Sequence, residues 1–316
     1  MKHFPFIVML LVFLASCSNG SNLPVKETDT STPIPEPTAS PAQTLSSPES
    51  PAPSPSPSPS PSPTQTLAPD AWKSLPVVPA IVSKRMIEIY QNGLARGHDP
   101  NRFSKFGDCQ NIPTFFLSSF DTGDYHLGEK YAYLQTTIDH FLGSWQRSSF
   151  AVIRGSNVAS VQSLSWTDPV NCNRNETPMA CEIRMNNPTI VLISFETWWG
   201  GKPAAEYESR LRSVVEYVLS QDVVPILATK ADNTEGDNSI NAAIAHIAAE
   251  YEVTLWNFWA ATYPLPEHGL TQDGFHLTLA RDYFDDPLRM ERAWPWRNLT
   301  ALQAIDAVYR ALNSQP

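Results

Sequence analysis

Basic charge is scarce in this 316-residue chain: 22 Lys and Arg stand against 32 Asp and Glu, for a formal net charge of −10. A nucleic-acid partner needs a basic face to meet its phosphates, so that class is excluded. Histidine is also sparse, seven in all, and His98, His126, His140, His246 and His268 fall at no spacing that would pair them on a metal. No metal is therefore expected, and no organic cofactor is implied by the chemistry read below. There is no internal repeat, which excludes stacked-repeat architectures. The N-terminal apolar run, Phe4 to Leu14, is too short to cross a bilayer.

That short run has the length of a signal peptide and follows a basic start, Lys2 and His3. It ends in Leu14-Ala15-Ser16-Cys17, which has the form of a bacterial lipobox. Residues 1–16 are then a lipoprotein signal peptide, and Cys17 is the site of lipid attachment. The other reading is an ordinary signal peptide with a cysteine there by chance. Under the lipobox reading the chain is held at the cell membrane, on its extracytoplasmic face, by acyl chains. Residues 17–70 are rich in Pro, Ser, Thr and Ala, and alternate Pro and Ser from Pro51 to Pro63. Such a segment buries no core and is expected to be a disordered tether. In polyproline II form, at about 3.1 Å per residue, it reaches on the order of 100 Å.

The folded domain is expected over residues 71–316, a fitting length for one α/β unit. Apolar spacing predicts helices over Ile81–Leu94, Tyr131–Trp145, Lys202–Gln221, Ser239–Tyr251 and Asn298–Leu312, with a short one over Pro178–Asn186. Extended or apolar runs at Arg102–Gly107, Phe150–Arg154, Thr189–Phe195, Val223–Thr229 and Val253–Phe258 read as strands. Strands alternating with amphipathic helices predict a five-stranded, mostly parallel sheet with helices on both faces, a three-layer α/β/α fold. In such sheets ligands bind beyond the carboxyl ends of the strands.

The residues able to do chemistry fall at those ends. Gly107-Asp108-Cys109 follows the first strand, and Arg154-Gly155-Ser156-Asn157-Val158 follows the second. Phe195-Glu196-Thr197-Trp198-Trp199 follows the third, and Asp273-Gly274-Phe275-His276 comes after the fifth. An acid three residues before a histidine can hold the imidazole's tautomer and orientation from within one tight loop. Together these stretches resemble the SGNH (GDSL) hydrolases, over about residues 100–312. The resemblance implies a flavodoxin-like α/β/α fold and hydrolysis of ester bonds. It places Cys109 at the nucleophile, where the family has serine, with His276 as base and Asp273 as its orienting acid. The backbone N–H groups of Cys109 and of either Gly155 or Val158 would hold the oxyanion. The family's asparagine after the third strand is absent, and Glu196 cannot replace it as an anion. Asp108 reads as a structural turn acid.

After lipidation three cysteines remain. Cys172 and Cys181 bracket a short polar loop and, in an oxidising compartment, are the expected disulfide. Cys109 is then a reactive nucleophile, an inert buried thiol, or a partner of one of the other two. Trp198 and Trp199 form either a substrate-binding platform or part of the core, and Trp294 and Trp296 read as a wall of the same cleft. The expected substrate is a small-molecule or polysaccharide ester. The alternative is a surface protein on a decayed hydrolase fold that binds glycans without turnover.

Overall fold

The computed structural model describes residue 68, residues 70–198 and residues 201–314. Residues 1–16, Cys17, nearly all of the tether and Trp199 lie outside the described residues. Ala71–Ser74 forms a 3₁₀ turn that buries Trp72. The Asn257 side-chain amide donates to the carbonyls of Trp72 and Leu75, at 2.9 and 3.0 Å, and pins this entry segment to the domain.

Four strands form the main sheet: β1 (Asp99–Gly107), β3 (Pro188–Ser194), β4 (Val224–Ala228) and β5 (Thr254–Trp256), in the order β1-β3-β4-β5 and all parallel. A separate two-stranded ribbon pairs β2 (Tyr125–His126) with β6 (Asp282–Tyr283). Every residue of β3 and β4 is buried, so both sheet faces are covered. The cover comes from α1 (Lys84–Ala95) and α9 (Ala293–Asn313), which pack on each other and on the sheet, and likewise from α6 (Ala204–Ser220) and α7 (Ser239–Glu250). The fold is thus α/β with a parallel sheet between helices.

The second of the five expected strands, Phe150–Arg154, is reduced to one parallel bridge between Val152 and Gly107, on the β1 edge. Its amides are spent elsewhere. Phe150 N donates to Glu182 Oε2, Ala151 N to Ser149 Oγ, and Val152 N to the Ser149 carbonyl. A segment whose donors close local turns cannot also extend a ladder.

The helix expected over Tyr131–Trp145 is also broken. It becomes α3 (Gly128–Tyr131), a 3₁₀ turn (Ala132–Leu134) and α4 (Gln135–His140). The Asp121 carboxylate accepts from Gly143 N and Gln146 N at 2.7 and 2.8 Å, and Gly143 takes a φ of +90°. The chain leaves the helix to reach those bonds, which leaves Leu142 exposed rather than on a buried face. Helix α1 starts later than the apolar spacing predicts, because Ser83 caps it by accepting from Met86 N. Ile81 therefore precedes the helix and is exposed. Helix α9 starts earlier, at Ala293, with Pro295 in its first turn, where no backbone N–H is needed.

Helix α5 (Pro178–Asn186) carries Cys181, which is joined to Cys172 in a disulfide. Reducing or removing this bridge frees a short loop, so a Cys172→Ser/Cys181→Ser chain should lose about 2–3 kcal/mol of stability. Urea unfolding of both chains measures the difference. An unchanged midpoint would show that the bridge constrains nothing that the fold does not already hold.

Candidate active site

The end of β1 is shaped by one close approach. A methyl group added at Gly107 would overlap the Asn111 side-chain amide and the Ser194 carbonyl, so only glycine fits there. The Asn111 Nδ2 donates to that same carbonyl at 2.8 Å, locking the turn after β1 to the end of β3. Cys109 opens a 3₁₀ turn, Cys109–Asn111, and is partly exposed. Since the disulfide joins the other two described cysteines, Cys109 remains a thiol.

Asp108 lies beneath this turn and is fully buried. Its Oδ1 accepts from Gln110 N at 3.1 Å, and its Oδ2 accepts from Glu196 N and Thr197 N at 2.8 and 2.6 Å. It is a structural acid tying two strand ends together. Burial, and then the neighbouring Glu196 carboxylate, push the Asp108 carboxyl well above its ordinary range.

The histidine loop is built with the same economy. Leu270 and Leu277 form an antiparallel bridge, and Thr271 N donates to the His276 carbonyl at 2.7 Å. Gly274 takes a φ of +70°, which closes the turn between them. Asp273 Oδ1 accepts from the amides of Phe275 and His276, each at 2.9 Å, and from the Thr271 hydroxyl at 2.8 Å. Its Oδ2 lies 2.5 Å from His276 Nδ1. Partial desolvation works to raise the Asp273 carboxyl, but the bonds from His276 and the two amides outweigh it. The group sits well below the usual carboxylate range and is ionised. One acid therefore both folds the loop and fixes Nδ1 as the donor, so Nε2 is the basic nitrogen.

The two loops meet. Gln110, next to Cys109, donates from Nε2 to the carbonyl of Phe275, next to His276, at 3.4 Å. The loop carrying Gly155 and Val158 is drawn to the same place: Ile153 N and Ser156 Oγ both donate to the Gly107 carbonyl at 3.3 Å. Gly155 is exposed, with a φ of +73°, whereas Val158 is fully buried. Cys109, Gly155, Val158, Asp273 and His276 thus sit on three neighbouring loops at the carboxyl end of the sheet.

Trp198 lies half-buried, its ring edge-on to Tyr207 at 5.3 Å. Its indole N–H is taken by the Lys202 carbonyl at 3.3 Å, so it is not an oxyanion donor. Trp294 is buried, and Trp296 is half-buried and packed against the core.

Spacing alone does not reveal what Glu196 does. Its Oε1 accepts from Ser194 Oγ at 2.8 Å and lies 2.7 Å from Nη1 of Arg297, which is wholly buried in α9. Arg297 also donates to Ser194 Oγ at 2.8 Å and packs over the rings of Phe116, Phe258 and Trp256. Where the resemblance has an asparagine facing the reaction, this chain has an acid turned into a buried ion pair. A second buried cluster follows β4. Lys230 Nζ lies 2.7 Å from Asp232 and 2.5 Å from Glu235. Burial alone would lower the Lys230 ammonium, but these two carboxylates hold it above its ordinary range. For Glu196 and Arg297 the sequence signal is a charge inside a largely apolar stretch, whereas Lys230, Asp232 and Glu235 lie in a polar loop sequence that gives no sign of burial.

Comparison with family models, with curated proteins and with solved structures returned no match for this chain.

Proposed function

We propose that this chain is an exported, lipid-anchored ester hydrolase of the SGNH type. In this reading, the single bridge at Val152 is what remains of the family's second strand. Cys109 Sγ attacks the ester carbonyl and gives its proton to Nε2 of His276. Asp273 holds the imidazolium that forms. The oxyanion is received by the backbone N–H groups of Cys109 and of the Gly155–Val158 loop. His276 returns the proton to the leaving alcohol, and water, activated by the same imidazole, releases the acid from the thioester. The observation that carries this reading is the paired Asp273–His276 loop, bonded to the Cys109 turn through Gln110 and Phe275. The lipobox and tether motivate a substrate at the cell surface, such as an acylated carbohydrate.

The test is alkylation of Cys109, mapped by mass spectrometry on the full chain purified in detergent. A thiol with an ordinary pKa of about 8.5 has well under one per cent thiolate at pH 6. A histidine-paired thiol should label roughly 10²-fold faster there, and His276→Ala should remove the advantage. Labelling at the ordinary thiol rate, unchanged in His276→Ala, would rule out the dyad.

A second reading has its own observation. Glu196 is sealed against Arg297, so no side chain at that position can donate to an oxyanion. Loss of one such donor costs about 10²–10³ in turnover. The domain would then bind glycans at the cell surface without cleaving them, and binding would survive Cys109→Ala.

A further inference from the structure

A cavity of about 190 Å³ is lined in part by the segments into which the chain continues from each of the two reactive loops. One wall begins at Thr114 and Phe115, just past the Cys109–Asn111 turn. The other is formed by Leu279, just past His276, and by Trp294. This second wall is tied to the histidine loop. Thr278 accepts from Trp294 N at its carbonyl, 3.1 Å, and from Ala293 N at its hydroxyl, 2.9 Å. The volume is below the roughly 300 Å³ at which drug-sized sites begin, so it suits a single ring-sized group.

The lining is two-faced. Phe115 and Leu279 are more than half open to solvent or close to it, 50% and 56%, and the Phe115 ring stands 5.6 Å from that of Trp294. Together they offer an apolar side on which a ring can lie. Opposite them is a buried polar floor. Asp282 Oδ2 accepts from Ser119 Oγ at 2.5 Å and from Asn298 Nδ2 at 2.8 Å, and its Oδ1 accepts from the same Nδ2 at 3.0 Å. These bonds leave acceptor capacity on Oδ1 for a further donor. At the rim Asp124 and Arg281 lie 3.7 Å apart and offset one another, so the charge left over is that of Asp282. A ligand matching this lining has one C–H face, several hydroxyl donors at its edge and no negative charge.

We propose that this cavity is a subsite for a neutral pyranose ring, and that it holds the sugar whose ester Cys109 attacks. The second clause rests on the hydrolase reading; the first does not. Phe115 and Leu279 take the C–H face and the Asp282 floor takes the hydroxyls. Sugars carrying a carboxylate or phosphate at that ring are rejected by Asp282.

The test separates the two readings. The full chain bearing Cys109→Ala, in detergent, is titrated with methyl glucoside, methyl galactoside and methyl mannoside, and with the matching hexuronates, by saturation-transfer NMR. At least one neutral glycoside should bind saturably and the uronates should not. Phe115→Ala, at an exposed position, should weaken binding about 10-fold by removing the stacking face. Thr122 also lines the cavity, and Thr122→Trp, which places an indole there, should abolish binding. The proposal is overturned by absence of saturable binding, by binding that neither variant alters, or by uronates binding as well as neutral sugars. If esters are cleaved while glycosides fail to bind, only the subsite falls. If glycosides bind while Cys109 proves inert, the subsite stands and the hydrolase reading falls.

Discussion

His276→Ala is expected to lower kcat/KM for a simple acetyl ester by about 10²–10⁴, because general-base assistance is worth that much. Asp273→Asn should fall in the same range. It would accept the wrong tautomer, and in this chain it would also weaken the loop, since the same carboxylate holds two amides and a hydroxyl. Cys109→Ala should remove turnover altogether. Cys109→Ser is more informative. The resemblance places serine at this position, so the variant should retain ester cleavage if the surrounding donors suit either nucleophile. The loss in Cys109→Ala should equal that in the double variant with His276→Ala, because residues that act as one unit are not additive. Ester hydrolysis that persists in both single variants would overturn the assignment of the site.

The second large effect concerns stability. Arg297 and Glu196 are both buried, and their pair ties the segment after β3 to α9. Arg297→Met leaves the Glu196 carboxylate without its cation and should cost about 3–5 kcal/mol. For a domain of this size, each kcal/mol moves the melting temperature by roughly 2–4 °C. Adding Glu196→Gln removes the stranded charge and should recover most of the loss. Failure of the second substitution to restore any stability would show that Arg297 acts by packing against its aromatic neighbours and not by pairing.

The Asp108 proton adds a pH signature to the same cluster. Its folded pKa, about 8, lies above the ordinary 3.8. The native state therefore binds a proton that the unfolded state releases between these values. The contribution is fully present below pH 3.8 and is lost as pH rises through about 8. In Glu196→Gln the acid beside Asp108 is neutral, its share of the upward shift disappears, and this part of the pH dependence should flatten. Urea midpoints across that range measure it.

Much of this was legible in the residues themselves. The continuous apolar runs of β3 and β4 are buried on both faces, as such runs must be, and helices α5, α6 and α7 follow their apolar spacing closely. The Cys172–Cys181 bridge joins the two cysteines whose spacing singled them out. The Asp273–His276 pair follows from two residue types placed one turn apart, because a local loop is enough to join them. Periodicity and short spacing are local properties, so the chain's own order specifies them. The tertiary structure decided the rest. The amides of residues 150–152 are captured by Ser149 and Glu182, and those of Gly143 and Gln146 by Asp121, so a strand and a long helix give way to turns. Only folding sets Gln110 on Phe275 and Glu196 on Arg297. A buried donor or acceptor takes whichever partner the packed chain brings within reach, and residues far apart in sequence carry no spacing that announces it.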